Sequence, residues 1–519
     1  MANKSLFKSL VGRMIPAVNA VNAAGGVAYE RSPKAKLAQY AATGCLGDTF
    51  YASAEDQLAT VLSLCDSSAI EPEFIARTAL YARQKAHMKD LPALLCATLT
   101  VYGPGLLAEV FDRVIDDGRM LRNFVQIVRS GVVGRKSLGT LPKRLVNAWF
   151  DRRSDEAIFR ASVGNSPSLA DVIRMTHPKP KSASRAALYG YLIGQPHDTA
   201  QLPEIVKAFE AFKAGESKEL PDVPFQMLTS LDLSAEQWKQ IARKGSWQMV
   251  RQNLNTFARH GVFDGDEAIA KDIARKLADP ASVKASRVLP YQLMVAYAAA
   301  GPNVPRVVRD ALQTAMEIAT ANVPKIDGRV IVCPDVSGSM QSPVTGVRRG
   351  ATTAVRCLDV AALVAACFVR TNVDAEVIPF SDDVIRVDLN PRDSVLTNAA
   401  RLAALPSGGT NCSAPLRDLN RRKAKGDLVV FVSDNASWVD TGYSIGTGTM
   451  AEWALFKQRN PQAKLVCIDI TPGNTTQAAS RDDVLNVGGF SDAVFDVVVA
   501  FLAGSTGDHW VRTIEAVSL

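Results

Sequence analysis

At 519 residues, with 47% hydrophobic and 21% charged side chains, the chain has the make-up of a core-forming protein of about two to four domains. No apolar run is long enough to span a bilayer, so no membrane partner is expected, and five histidines leave little material for a histidine-based metal or catalytic site. The net charge of +7 is uneven: from Ile326 onward there are 18 Lys+Arg against 21 Asp+Glu, so of the totals of 59 and 52 the first part keeps an excess of roughly +10.

The first acidic residue is Glu30, after Lys4, Lys8 and Arg13, but Arg13 and Pro16 break the apolar stretch that a signal peptide would need. A mature N-terminal helix is expected, followed by a mobile linker at Ala23-Ala24-Gly25-Gly26. The eight cysteines contain no C-x-x-C pair and mostly sit in apolar segments. That use fits reduced thiols and a cytoplasmic location.

Up to about Lys325 the sequence reads as helix after helix. Ser234-Ala235-Glu236-Gln237 is a capping box. Ile269, Ile273 and Leu277 form an i, i+4, i+8 stripe behind Asp266-Glu267. Pro92, Pro142, Pro203, Pro224 and Pro305 fall near helix starts. A helical array of this length is expected to stack pairs of helices, as HEAT-like repeats do, because it cannot close one core. Asp116-Asp117 reads as a helix end. Two basic clusters stand out: Arg135, Lys136, Lys143 and Arg144, and then Arg174, His177, Lys179, Lys181 and Arg185. Within a domain of this charge they point to phosphates, with nucleic acid as the leading partner.

From Gly328 the pattern changes. Strands are predicted at Arg329–Pro334, Ala375–Phe380, Val384–Leu389, Asp427–Ser433 and Lys464–Ile470. Helices are predicted at Ala351–Arg370, Ser394–Ala404, Ser413–Lys423, Thr449–Gln458 and Ser491–Leu502. This alternation implies an α/β, doubly wound (Rossmann-like) sheet, mainly parallel, with Val384–Leu389 as an antiparallel edge. A boundary near Val323-Pro324 gives domains 1–325 and 326–519.

The first of these strands runs into Asp335-Val336-Ser337-Gly338-Ser339. One carboxylate and two hydroxyls at a strand tip are hard oxygen ligands, suited to Mg²⁺ or another divalent cation, and too few to close a cage. This pattern resembles the metal-ion-dependent adhesion site of von Willebrand factor A domains. The resemblance implies a threonine from a second loop and an aspartate from a third. Gly408-Gly409-Thr410 and Asp434, at the end of Leu428–Ser433, match in chain order.

Several strings before residue 325 resemble the TROVE module of the Ro autoantigen family. They are Cys45–Tyr51, Ala86-His87-Met88 with Leu91-Pro92, Gly134–Leu138, Asp171–Pro180, Trp247 through Asn253-Leu254, and Leu289-Pro290. The family order, TROVE module then A domain, is kept over nearly the whole chain. The resemblance implies a monomeric ring of HEAT-like helical repeats closed by the A domain, without catalytic activity. Single-stranded 3′ ends of misfolded or structured RNAs would enter its hole. Small Y-like RNAs would bind the outer basic face, and a 3′-to-5′ exoribonuclease would work beside it.

Two departures are visible. Asn411 stands where Ro A domains often carry aspartate, which lowers the negative charge beside Thr410. Arg251 is displaced by one residue from the family's Arg-Asn-Leu string, about 100° around a helix. The alternative reading is a metal-dependent protein-interaction scaffold without RNA binding. A nuclease would need several clustered carboxylates. The chain offers only isolated pairs such as Asp382-Asp383 and Asp482-Asp483, which read as solvated turns.

Overall fold

The computed structural model describes residues 15–519 except 45, 287, 289, 321, 322, 324, 345, 348–354, 373, 440–445, 490 and 505–507. The N-terminal helix, Cys45, Leu289, Pro324 and the first turn expected at Ala351 therefore lie outside the described residues.

Ala23-Ala24-Gly25-Gly26 is not a linker. It is the tip of a hairpin between β1 (Ala20–Val21) and β2 (Val27–Glu30). Asn22 Oδ1 accepts the amides of Ala24 and Gly26 at 3.0 and 2.9 Å, and Gly25 adopts φ +86°, which the turn requires. The hairpin touches the following helix through the Glu30–Lys36 pair at 2.7 Å. It pairs through β2 with a short strand deep in the C-terminal domain, Tyr29 facing Thr476.

Helices then run from Pro33–Thr43 to Arg306–Ala319, packing mainly against near neighbours in sequence. The Ser234 box opens Ala235–Lys244 as predicted, and Ile269, Ile273 and Leu277 are buried along Glu267–Leu277. Asp116-Asp117 does not end a helix. The preceding helix stops at Val114, and Asp117 caps Gly118–Ser130 by accepting the Met120 amide at 2.8 Å.

The C-terminal domain holds β3 (Val330–Pro334), β4 (Glu376–Val377), β5 (Leu428–Ser433), β6 (Lys464–Asp469), β7 (Thr475–Thr476) and β8 (Val484–Gly488). Five of these form one parallel sheet in the order β4-β3-β5-β6-β8, and β7 joins β1 and β2. Side chains alternate between two apolar layers. Val330, Val332, Val430 and Val466 face one layer, and Ile331, Cys333, Val429 and Phe431 face the other with Trp453 and Phe456. Burial on both faces is why these strands read as unbroken apolar runs. The first layer is continuous with the core of the helical region. That region touches the C-terminal domain at both its ends: Pro33–Thr43 and Pro72–Gln84 meet His509–Glu515, while Pro290–Ala299 and Arg306–Ala319 meet Cys357–Thr371 and Val395–Ala403.

Val384–Leu389 is not a strand. Only Val384 pairs, with Phe380, where the chain doubles back. β4 is shorter than predicted, although hydrogen bonds to β3 continue beyond it: the amides of Ile378 and Phe380 donate to Val332 O and Pro334 O at 2.9 and 3.2 Å. No helix among the described residues is long and apolar enough to cross a membrane.

Candidate metal centre and nucleic-acid interface

In this sheet the winding direction reverses at β3, whose two neighbours are β4 and β5, so a crevice opens beyond the carboxyl ends of β3 and β5. Asp335 follows β3 and is fully buried. Its amide donates to Val432 O at 3.0 Å; its Oδ1 accepts the Ser337 amide at 2.8 Å and its Oδ2 the Ser433 hydroxyl at 2.6 Å. The Ser337 and Ser339 hydroxyls stand 3.3 Å apart, and both residues are buried. The Gly338 amide donates to Gly408 O at 2.9 Å, clamping the second loop against the first. Buried Thr410 follows, its carbonyl holding the amides of Trp438 and Val439 at 3.0 and 3.1 Å. Asp434, half-buried at the tip of β5, accepts the Ala436 amide on its Oδ1 at 3.2 Å. Asp335, Ser337, Ser339, Thr410 and Asp434 thus come from three loops around one crevice.

Burial, then the charge of Asp434, pushes Asp335 up to about 7, against the pull of its bonds from Ser337 and Ser433. Burial raises Asp434 as well. Among the described residues no ion pair reaches either carboxylate. Two like charges are held together without a cationic partner, a costly arrangement unless a cation supplies the missing charge. No cluster of three or more His, Cys, Asp or Glu exists among the described residues, so the donors are carboxylate and hydroxyl oxygens. That set fits a hard divalent cation with positions left open.

Asn411 has a bracing role that an aspartate could not fill. Its Nδ2 donates to Asp382 O at 3.0 Å, and its Oδ1 accepts the Ser413 hydroxyl at 2.7 Å.

Sequence reasoning missed three features of this centre. Ser433 supports Asp335. Asp469, at the end of β6, is bound by Arg31, Gln39 and Asn435. Tyr51, from the helical region, feels the centre: burial and then the charge of Asp434 push its hydroxyl up to about 12. Tyr51 ends the string Cys45–Tyr51 and Asp469 lies within a predicted strand, but no local signal ties Asp469 to Arg31 and Gln39, more than 400 positions away.

Of the basic residues, Lys136, Lys143 and Arg144 are exposed and line one groove of about 1020 Å³ with Arg129, Asn147 and Thr176. The helix Thr140–Asp151 brings the second cluster beside the first. Asn147 Nδ2 donates to Thr176 O at 3.2 Å, next to exposed His177, and Lys181 pairs with Asp151 at 3.1 Å. Lys179 is exposed, and Arg174 is tied to Asp171 and to Ile193 O. Two members are committed elsewhere. Arg135 donates to the carbonyls of Thr100, Ser137 and Leu138. Arg185 is 9% exposed, pairs with Asp155, and donates to Phe150 O and Arg153 O at 2.9 and 2.6 Å. Arg129 joins the groove from a neighbouring helix, outside both sequence clusters.

Arg251 is likewise internal, donating to Gln292 O at 2.8 Å. Asp483 is not a solvated turn residue: it accepts from Trp453 Nε1 at 3.0 Å and from Arg481 at 2.9 Å.

Residues 329–502 match the Ro60 vWA domain. Over 522 aligned residues the chain is 26% identical to the RNA-binding protein RO60 of Deinococcus radiodurans, covering 93% of this chain and 95% of that one. It is 23% identical over 256 residues to the RNA-binding protein RO60 of Caenorhabditis elegans, covering 46% and 38%. The fold is similar to the crystal structure of the D. radiodurans RO (RSR) protein, with a TM-score of 0.62 at 23% identity over 91% of this chain and 100% of that one. The resemblance to Ro proteins read from the sequence therefore extends over nearly the whole chain.

Proposed function

We propose that this chain is a monomeric, cytoplasmic RNA-binding protein of the Ro type, and that it catalyses no reaction itself. It captures structured or misfolded RNAs by single-stranded 3′ ends, is gated by a small Y-like RNA, and acts in RNA quality control beside an exoribonuclease. The observation that carries the RNA reading is the groove in which exposed Arg129, Lys136, Lys143 and Arg144 converge without an ion pair among the described residues, with His177, Lys179 and Lys181 at its edge. Long cations on a concave face, not neutralised by protein carboxylates, suit a phosphate backbone. The names of the relatives support the same reading.

In this proposal Asp335, Ser337, Ser339, Thr410 and Asp434 hold Mg²⁺. The cation supplies a fixed positive charge with an open position for an acidic group. Two carboxylates with hydroxyls suit holding a ligand better than activating water across two metals.

Fluorescence anisotropy with a hairpin RNA bearing a 3′ tail, against a blunt hairpin and across a salt titration, tests the reading. Wild type should prefer the tailed RNA and leave it intact. K136A/K143A/R144A should bind more weakly, with a salt slope reduced by about 2 to 3. No binding at low salt overturns the proposal and favours the second reading, a metal-centred protein scaffold, for which the three-loop oxygen site is the supporting observation. Shortening of the RNA would point to a nuclease.

A further inference from the structure

A cavity of about 720 Å³ opens where the helical region meets the C-terminal domain. It lies among four helices: Pro72–Gln84 and Pro104–Val114 from the helical region, and Asp492–Leu502 and His509–Glu515 from the C-terminal domain. Its floor is apolar. Leu80 and Val497 are buried there, with Ala493 and Ala500 half-buried beside them. Ala493, Val497 and Ala500 are spaced i, i+4, i+7 and share one face of their helix. Two of these three are alanine, which leaves room over that face for a flat ring. The walls are braced across the boundary. Trp510 Nε1 donates to the Tyr81 hydroxyl at 3.2 Å, Arg77 donates to Val517 O, and Lys34 pairs with Glu71 and Glu515 at 3.0 and 2.9 Å.

Around this floor stand Lys85, Arg113 and Arg512. Lys85 and Arg512 are exposed and Arg113 is half-buried. Among the described residues no carboxylate pairs with any of the three, and the acids nearby are engaged elsewhere: Glu515 takes Lys34 at 2.9 Å, and Asp116 takes Arg83 at 2.6 Å. Asp496 is the acid among the lining residues, so three cations less one acid leave an excess of +2 with His509 neutral. The size and the position between two domains are those of a small-molecule site. A fatty acid brings one negative charge, too few for three unpaired cations. A ligand with several negative charges at one end and a planar apolar ring at the other matches both the rim and the floor. Asp496 adds an acceptor for a sugar hydroxyl or an exocyclic amine.

We propose that this cavity binds a nucleoside polyphosphate, with its phosphates held by Lys85, Arg113 and Arg512 and its base laid on Ala493, Val497 and Ala500. The walls belong to both parts of the chain, so the ligand fastens their junction and stabilises the folded protein by mass action. The site is separate from the basic groove and from the metal centre, and depends on neither reading above.

The test is calorimetric titration of the full chain with ATP in EDTA, beside adenosine, tripolyphosphate and laurate. ATP should bind saturably below about 1 mM and raise the melting midpoint. Adenosine and tripolyphosphate, each lacking half of the match, should bind at least about 10-fold more weakly. Arg512→Ala and Lys85→Ala remove exposed side chains, should keep the ligand-free melting midpoint, and should each weaken ATP about 10-fold. Ala500→Leu, which fills the floor without changing charge, should abolish binding. K136A/K143A/R144A, in the other groove, should bind ATP as wild type does. Absence of saturable ATP binding below about 1 mM would overturn the proposal. So would tripolyphosphate binding as tightly as ATP, or wild-type ATP affinity in Arg512→Ala and Ala500→Leu. Laurate binding in preference to ATP would overturn it in favour of a lipid site.

Discussion

Arg31 and Asp469 pair with side chains only 3% and 2% exposed. Asp469 also accepts from Gln39 Nε2 at 3.1 Å and from Asn435, and Arg31 Nε donates to Thr475 O at 3.2 Å. Arg31→Ala leaves a buried carboxylate without its cation, a change that costs about 3–5 kcal/mol where the charge persists. The pH dependence separates this cause from lost packing. Burial already pushes Asp469 up to about 7 despite Arg31, and without Arg31 the value rises further. An acid whose folded pKa lies above its unfolded one loses stability as pH rises from the unfolded value towards the folded one. Above about pH 7 the wild-type carboxylate ionises and is paired, while the variant keeps its proton or holds an unpaired charge. The stability gap should therefore widen by about 1.4 kcal/mol per pH unit, or roughly 3 kcal/mol between pH 7 and 9, and be smallest near pH 6. Urea unfolding of both proteins in EDTA at pH 6, 7, 8 and 9 measures it. Arg31→Met/Asp469→Asn, which removes both charges, should recover part of the loss at pH 9. A gap that stays flat with pH, or lies below 1 kcal/mol throughout, would refute the assignment of the defect to an unpaired Asp469.

Ser433→Ala removes the hydroxyl that donates to Asp335 Oδ2 at 2.6 Å and should weaken Mg²⁺ about 10-fold in calorimetry without unfolding the domain. Gly26→Ala places a Cβ 2.0 Å from Ser437 O and 3.0 Å from Trp438 Cα, so the hairpin must leave the loop that follows Asp434; a loss of about 1–3 kcal/mol is expected by thermal melting, with the 2.7 Å bond from Asn22 Nδ2 to Ser437 O broken. Arg185→Ala should cost about 2–4 kcal/mol of stability, since Asp155 loses its partner and two carbonyls lose their donor, and should leave the salt slope of RNA binding unchanged. Lys143→Ala should do the reverse, leaving the melting midpoint in place and lowering the salt slope by about 1.

The parts of the fold legible in the sequence were those with a helical period or an unbroken apolar run. Val330–Pro334 and Leu428–Ser433 announced buried strands because both faces of the sheet are covered, and Asp335 and Asp434 could be placed at their tips. β8 was missed because its run Val484–Gly488 is interrupted by Asn486, a polar side chain that reads as a turn. The fold buries it by satisfying it: Asn486 Nδ2 donates to Ala478 O at 2.8 Å and its Oδ1 accepts from Thr476 at 2.7 Å. The hairpin was misread because Ala-Ala-Gly-Gly is compatible with either a linker or a tight turn, and only pairing with β7 decides. In the basic clusters, charge was visible but its use was not. Arg135 and Lys136 are adjacent in sequence, yet one guanidinium is spent on backbone carbonyls while its neighbour's ammonium faces the groove.

The same long-range contacts decide how the two parts of the chain behave together. A linker between a helical array and an A domain would let each unfold alone. Here one apolar layer runs from the helical region into the sheet, and the segment before Pro33 is built into the far domain through β2, Arg31 and the hairpin. Contacts at the first and last helices close a circuit through the C-terminal domain, so opening any one junction exposes core that belongs to both parts. The candidate metal centre sits beside two of those junctions, the Gly47–Ala52 loop at Val347 and the hairpin at Ser437. A ligand at the centre is thus placed to be felt by the helical region through backbone that is already hydrogen-bonded across the boundary.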